Sequence, residues 1–293
     1  MTARDAEDAP PAIPVLRSIG PLASTADAWL VDIWGVMHNG VRPFADAVAA
    51  CRRFREDGGS VLLLSNSPRP AAGVAAQLDQ IGVDRAAYDA VVSSGDATRG
   101  LIAELGQAGI VHIGPARDLP LFDGLPVHIS EAATAAAVVC TGLVDDTSET
   151  PDDYTAALET LARHGLPMLC ANPDIKVERG GSVIWCAGAL ARVYAERCGT
   201  VLYAGKPHPA IYELAFAALA RLRGGPVARA RMLVIGDGIE TDIAGAAANG
   251  IRSVYVASPV HLPVSALLDA AALATLFPAR ERRPVAAMTA LAW

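Results

Sequence analysis

The chain has 293 residues, 52% of them hydrophobic and 19% charged, and a formal net charge of −7. That length suggests about two domains, and the composition is an ordinary soluble α/β profile able to bury a large core. An acidic balance argues against a nucleic-acid surface, which needs clustered Lys and Arg, and no apolar run approaches the roughly 18 residues that would span a bilayer.

In chain order, residues 1–14 are acidic and proline-rich and lack the apolar stretch of a signal peptide, so a disordered lead-in is expected there. A short apolar run, WLVDI (29–33), carries Asp32 near its end. Phe44, Ala47, Val48, Cys51 and Phe54 then recur at helical spacing, with Gly58-Gly59 as the stop. SVLLLS (60–65) is continuously apolar, as a parallel strand covered on both faces must be. Residues 70–81 read as a helix and AVVSS (90–94) as a strand.

The middle, 106–199, holds further alternating pieces: GIVHIG, AAAVVCTGLV, a helix around 154–162, LPMLCA, and a helix around 187–198. These suffice for a smaller α/β domain inserted between two halves of the first, 15–105 and 200–293. Beyond it, MLVIG (232–236) and RSVYVAS (252–258) read as strands. A helix begins near Thr241 between them and stops at Asn249-Gly250. The last stretch, 277–293, has a basic cluster (Arg280, Arg282, Arg283) and is expected to be a surface helix end and tail. Five cysteines (Cys51, Cys140, Cys170, Cys186, Cys198) form no C-x-x-C pair, which suits a reducing cytoplasm.

Strand–helix alternation implies right-handed crossovers and an open, doubly wound parallel sheet. Such sheets bind ligands outside the carboxyl ends of their strands. Asp32, Ser65 and Asp237 all fall at such ends. Asp32 and Asp237 would make an oxygen-rich site suited to Mg²⁺. Ser65, the backbone N–H groups around Asn66, and Lys206 in AGKPHP would hold phosphoryl oxygens. A carboxylate nucleophile, a metal and a cationic clamp together suit phosphoryl transfer through an aspartyl-phosphate. Singly these residues are ambiguous: Asp32, Thr241 or Asp242 could each be a helix cap, and Lys206 a solvated loop residue.

With these segments in view, the chain resembles the haloacid dehalogenase-like hydrolases, and within them the sugar-phosphatase and nitrophenylphosphatase type with a large α/β cap. The resemblance spans about 30–256. Asp32 matches the nucleophile, Ser65 and Asn66 the phosphate-binding segment, Lys206 the lysine, and Asp237 with Asp242 the G-D-x-x-x-T-D-I segment. SSGDAT (93–98), GLVDD (142–146), ANPD (171–174) and CAGAL (186–190) look like the same class. The resemblance implies a Rossmann-like core with an inserted α/β cap, Mg²⁺ as cofactor, and a small phosphorylated metabolite enclosed beneath the cap. It places Asn172 and Asp174 near the cleft, where a plain turn is the competing role. A homodimer is compatible with it.

One position departs. Phosphatases of this type carry D-x-D, whose second Asp protonates the leaving oxygen and later activates water; here that residue is Trp34. Indole does neither, and losing such a group removes about two to four orders of magnitude of rate. The metal site is expected to survive, because in this family that position binds Mg²⁺ through its backbone carbonyl. His38, four residues on, could substitute as acid, its unperturbed pKa of about 6.5 suiting the work, or could be a hydrogen-bonded loop histidine. The expectation is a cytoplasmic Mg²⁺-dependent phosphatase using Asp32. A phosphotransferase, or a weakly active phospho-ligand-binding module, stays open.

Overall fold

Strand β1 (Ala28–Asp32) is buried at all five positions and β2 (Ser60–Ser65) at all six, so neither can keep a face in water. The structure, a computed structural model, describes residues 12–179, 182–257, 267–278 and 282–293. Alternation of side chains along the strands sends Trp29, Val31, Val61 and Leu63 to one face of the sheet. Leu30, Leu62 and Leu64 go to the other. Helix α1 (Ala45–Glu56) covers the first face through Ala47, Ala50, Cys51 and Phe54, with the Trp29 and Phe54 rings stacked 3.9 Å apart. Helix α2 (Ala71–Ile81) adds Val74 and Leu78 to it. Strand β3 (Ala90–Ser93) ends one residue before the expected limit. Ser93 and Asp96 form a reciprocal capping box that starts helix α3 (Ser94–Ala103) there.

The chain then leaves this sheet to build a second one. Strands β4 (Gly109–Ile113), β5 (His128–Ile129), β6 (Ala135–Cys140) and β7 (Met168–Cys170) come first, with helix α4 (Thr155–Arg163) before β7. A hairpin of β8 (Lys176–Arg179) and β9 (Ser182–Trp185), helix α5 (Ala187–Glu196) and strand β10 (Val201–Tyr203) complete the unit. The five sheet strands run parallel in the order β10-β7-β6-β4-β5. Strand β10 pairs with β7, so the inserted unit extends to Tyr203, past the boundary expected at residue 199. A three-residue strand carries too little periodicity to assign from sequence.

Helix α6 (Pro209–Arg223) returns to the first sheet and covers its second face with Ile211, Tyr212, Ala215 and Leu219. Strands β11 (Met232–Gly236) and β12 (Arg252–Val256) follow, separated by a π turn over Ile239–Ile243 that runs into helix α7 (Ala244–Ala248). The helical segment as a whole thus opens at Ile239, two residues before the expected Thr241. After helix α8 (Ala270–Leu276) comes β13 (Ala286–Met288), which pairs with β12. The expected surface tail is therefore a strand of the core sheet, with Met288 and Leu291 buried.

Arg282 pairs with Glu240 and Arg283 donates to the Phe277 carbonyl; Arg280 lies outside the described residues. So do residues 1–11 of the expected lead-in. Of its remainder, Ile13 is buried and the Pro14 carbonyl accepts from Ala287 N–H. Val15 then bridges to Ala287 on the outer side of β13. None of the five cysteines forms a disulfide. Among the described residues, no helix is long and apolar enough to cross a membrane.

Candidate active site

The first sheet has the order β13-β12-β11-β1-β2-β3. This puts β1 at its centre, with β11 on one side and β2 on the other, and the strand order switches there. Asp32 ends β1, Asp237 follows β11 and Ser65 ends β2, so the three reach one edge of the sheet as expected. Lys206 comes from elsewhere, on the loop between β10 and α6. Its Nζ donates to Asp32 Oδ1 at 2.5 Å and to Asp242 Oδ1 at 2.8 Å, and the lysine is buried to 2% exposure. Ligand oxygens of Asp32, Asp237 and Asp242 lie within 4.8 Å of one another.

The local sequence explains why carboxylates crowd so closely. A Cβ at Gly236 or Gly238 would overlap the Asp242 or Thr241 side chain. Their absence lets Asp242 fold back so that Oδ2 accepts Gly238 N–H at 3.1 Å. Gly35 has φ +86°, and a Cβ there would strike the Asp237 carboxylate. Burial pushes Asp32 and Asp242 above the usual carboxylate range, against the pull of Lys206. Burial also works against the lysine's charge, but the Asp242 and Asp32 carboxylates more than offset it and hold its pKa above the ordinary value.

On the other flank, Ser65 Oγ accepts Ser67 N–H at 3.1 Å and keeps its own hydrogen for a ligand. The Asn66 side chain is committed within the protein: Oδ1 accepts Lys206 N–H at 2.7 Å, and Nδ2 donates to Asp174 Oδ1 at 2.9 Å and the Lys206 carbonyl at 3.3 Å. Asn66 therefore has only its backbone to offer a phosphate. Asn172 Oδ1 accepts Asp174 N–H at 3.1 Å, shaping the turn that brings Asp174 to the core. Both residues line a cavity of about 1600 Å³ between the two sheets, together with Asp32, Trp34 and Lys206.

Trp34 lies on that cavity but is turned onto its own loop. Its six-membered ring fills the place of a Gly40 side chain, and its indole meets the His38 ring edge-on at 4.9 Å. His38 is 1% exposed, and its Nδ1 accepts Gly40 N–H at 2.9 Å. That bond fixes the neutral ring with its proton on Nε2, and burial lowers its pKa to about 4. A neutral imidazole can donate a hydrogen bond, yet it lacks the labile proton of a general acid. Of the two roles left open for His38, this setting fits the hydrogen-bonded loop histidine.

Apart from Asp146 in GLVDD, no sequence motif marks the polar wall contributed by the inserted unit. Asp118, 4% exposed, lies 3.9 Å from Arg69 of the core, and Arg117 pairs with Asp146. These residues line the same cavity. Asp118 and Arg117 sit in an irregular helical turn whose sequence, ARDLPLF, matches no motif.

A sequence model described as haloacid dehalogenase-like hydrolase matches residues 29–125, and a second, described as HAD-hydrolase-like, matches 203–277. A haloacid dehalogenase-like hydrolase from Brucella suis 1330 is 48% identical, covering 94% of this chain and 100% of its own, with TM-score 0.85. The D-glycerol 3-phosphate phosphatase of Mycobacterium tuberculosis is 30% identical over 249 residues, 82% of this chain. The match spans 65% of that relative's length. The crystal structure of a glycerol phosphate phosphatase from Mycobacterium tuberculosis in complex with magnesium shares the fold, with TM-score 0.67 at 24% identity, covering 93% of this chain and 76% of its own. The 48% identity to the Brucella suis hydrolase over 94% of this chain, together with the two sequence models, places this chain in the haloacid dehalogenase-like hydrolase family.

Proposed function

We propose that the protein is a cytoplasmic, Mg²⁺-dependent phosphatase of small phosphorylated metabolites, with Asp32 as covalent nucleophile. The observation that carries this reading is the buried Lys206 joining Asp32 to Asp242 beside Asp237. Three carboxylates against one ammonium, once ionised, would leave two negative charges uncompensated, a donor set fitting a hard divalent cation. Asp32, Asp237, Asp242 and the Trp34 backbone carbonyl would hold it. When bound, the cation supplies positive charge for the phosphoryl oxygens. Similarity to glycerol phosphate phosphatases supports a small phosphate ester as substrate.

The chain's own groups then act in order. Ser65 Oγ and the Lys206 ammonium hold phosphoryl oxygens. An Asp32 carboxylate oxygen bonds to phosphorus as the bond to the leaving oxygen breaks, and that oxygen departs with the electron pair. Water then attacks the same phosphorus, Asp32 is released as carboxylate, and phosphate leaves. Trp34 and His38 supply no proton to the departing oxygen, which favours substrates whose leaving group is acidic, such as aryl or acyl phosphates.

The test is a phosphate-release screen over aryl, acyl and alkyl phosphates with Mg²⁺, run on the wild type and on Asp32→Asn. Release that stops in the variant while its circular dichroism is unchanged is the expected result. Turnover surviving in Asp32→Asn would overturn the mechanism. Tight phosphate binding with no release from any substrate would favour a binding module instead.

A further inference from the structure

Asn66 stands where three parts of the molecule meet. It follows β2 of the core, it binds the loop that carries Lys206, and it receives Asp174 from the inserted unit. Its carboxamide grips Lys206 by both backbone groups, the N–H at 2.7 Å and the carbonyl at 3.3 Å. The remaining bond, to Asp174 Oδ1 at 2.9 Å, is the only charged partner of that amide among the described residues. Bonds to a carboxylate are shorter and stronger than neutral ones, so Asp174 fixes the plane of the amide more firmly than the long bond to the Lys206 carbonyl does.

Close packing transmits that fixing in both directions. A Cβ at Gly205 would stand 2.5 Å from Asn66 Oδ1 and 2.7 Å from Pro173 Cδ. A Cβ at Gly188, in the first turn of α5, would overlap the Pro173 carbonyl, and Gly188 N–H donates to the Asp174 carbonyl at 3.1 Å. The 172–174 turn is thus clamped between α5 behind and Asn66 in front. Any shift of the inserted unit moves the acceptor that orients the amide.

We propose that Asn66 is a positioning residue that couples the seating of Asp174, and with it the inserted unit, to the placement of Lys206 against Asp32. The inference rests on the reading above, in which Lys206 and Asp32 act together on the phosphoryl group. When Asp174 withdraws, the amide turns, the 205–206 backbone loses its fixed donor and acceptor, and Nζ leaves the two carboxylates. The lysine is then set only while the cleft is closed.

Two readouts test this. The chain contains two lysines, Lys176 and Lys206, so acylation by acetic anhydride, followed by peptide mass spectrometry, reports Lys206 directly as the acylated fraction of its own peptide. The variant N66D sets a second carboxylate against Asp174. Acylation of Lys206 should rise severalfold, and turnover of 4-nitrophenyl phosphate at saturation should fall by at least about tenfold. The double variant N66D/D174N reverses donor and acceptor across the 66–174 pair but leaves the Lys206 carbonyl without its donor, so it should recover part of both losses, which a lost phosphate contact at Asn66 would not.

Unchanged Lys206 acylation in N66D, or no recovery in the double variant, overturns the proposal. Should N66D fail to fold, D174A carries the test: Lys206 acylation that matches the wild type overturns the proposal and a rise supports it. A wild type without phosphate release, but with the expected acylation pattern, refutes the proposed function and leaves the coupling standing. An active wild type whose variants show no change in acylation refutes the coupling alone.

Discussion

The carboxyl ends of β11 and β1 are neighbours on one sheet edge, and they solve opposite problems. After β11, the run Gly236–Asp242 is built around charge: small residues leave space, Asp242 folds back onto Gly238 N–H, and Lys206 binds it from below. After β1, Asp32 takes part in that same charge network, but the next six residues turn apolar. Trp34 packs on Gly40, and His38 is buried neutral beside it. On the proposed reading, the polar, interlocked part of the site faces the phosphoryl group, while the half-buried Trp34 and the buried His38 stand where a leaving group's proton would be handled. A site divided in that way would form a phosphoenzyme without being equipped to protonate a poor leaving group.

The sharpest way to break the contrast is to remove the charge on the β11 side. Lys206→Met leaves two buried carboxylates facing each other, and breaking such a pair costs about 3–5 kcal/mol. Turnover should become undetectable and the Tm should fall in a thermal scan. A stable, active variant would mean that the buried pair is not what organises the site. Next in size is the converse change on the β1 side. Trp34→Asp should raise turnover of alkyl phosphates by about a hundredfold or more, with aryl phosphates gaining far less. Equal gains on both would show that the indole limits access and not proton transfer.

The β1 side also has a pH signature. His38 has a folded pKa of about 4, below its unfolded value of about 6.5. The unfolded chain therefore takes up the proton first as pH falls. The stability this contributes is intact above about pH 6.5 and is lost as pH drops toward 4, up to about 3 kcal/mol. Urea midpoints measured across that window should decline less in His38→Gln than in the wild type. The smallest expected effect is kinetic. His38→Gln should slow aryl and alkyl phosphates by the same factor, because the ring shapes the loop and holds no catalytic proton. A selective loss on alkyl phosphates would restore His38 as an acid.

The two regions also differed in how well the sequence disclosed them. Strands β1, β2 and β11 are legible because parallel strands covered on both faces must be apolar throughout, and Asp32, Ser65 and Asp237 stand out at their ends. The glycines of GDG are readable too, since little else would leave space for carboxylates. What escaped is mostly non-local. The pairing of β10 with β7 and the strand at Ala286–Met288 are set by partners distant in the chain, whereas the Ser93–Asp96 capping box that ends β3 is local and moves the boundary by one residue. The buried state of His38 depends on packing against Trp34 and Gly40, which spacing alone does not reveal. The Asn66–Asp174 bond joins residues 108 positions apart; each stood in a segment singled out from sequence, but no local pattern pairs them.

Strand β13 has a consequence outside catalysis. The core sheet ends in three buried residues, Ala286–Met288, and an uncovered edge of that kind would invite pairing with another chain. The segment around Val15 lies along it, with Leu16 N–H donating to Ala287 and Ala287 N–H donating to Pro14. The opening and closing segments of the described fold thus act as a selvedge, finishing the fabric so that it does not unravel into its neighbours. Trimming the segment around Val15 should cost little in the cleft and much in solubility.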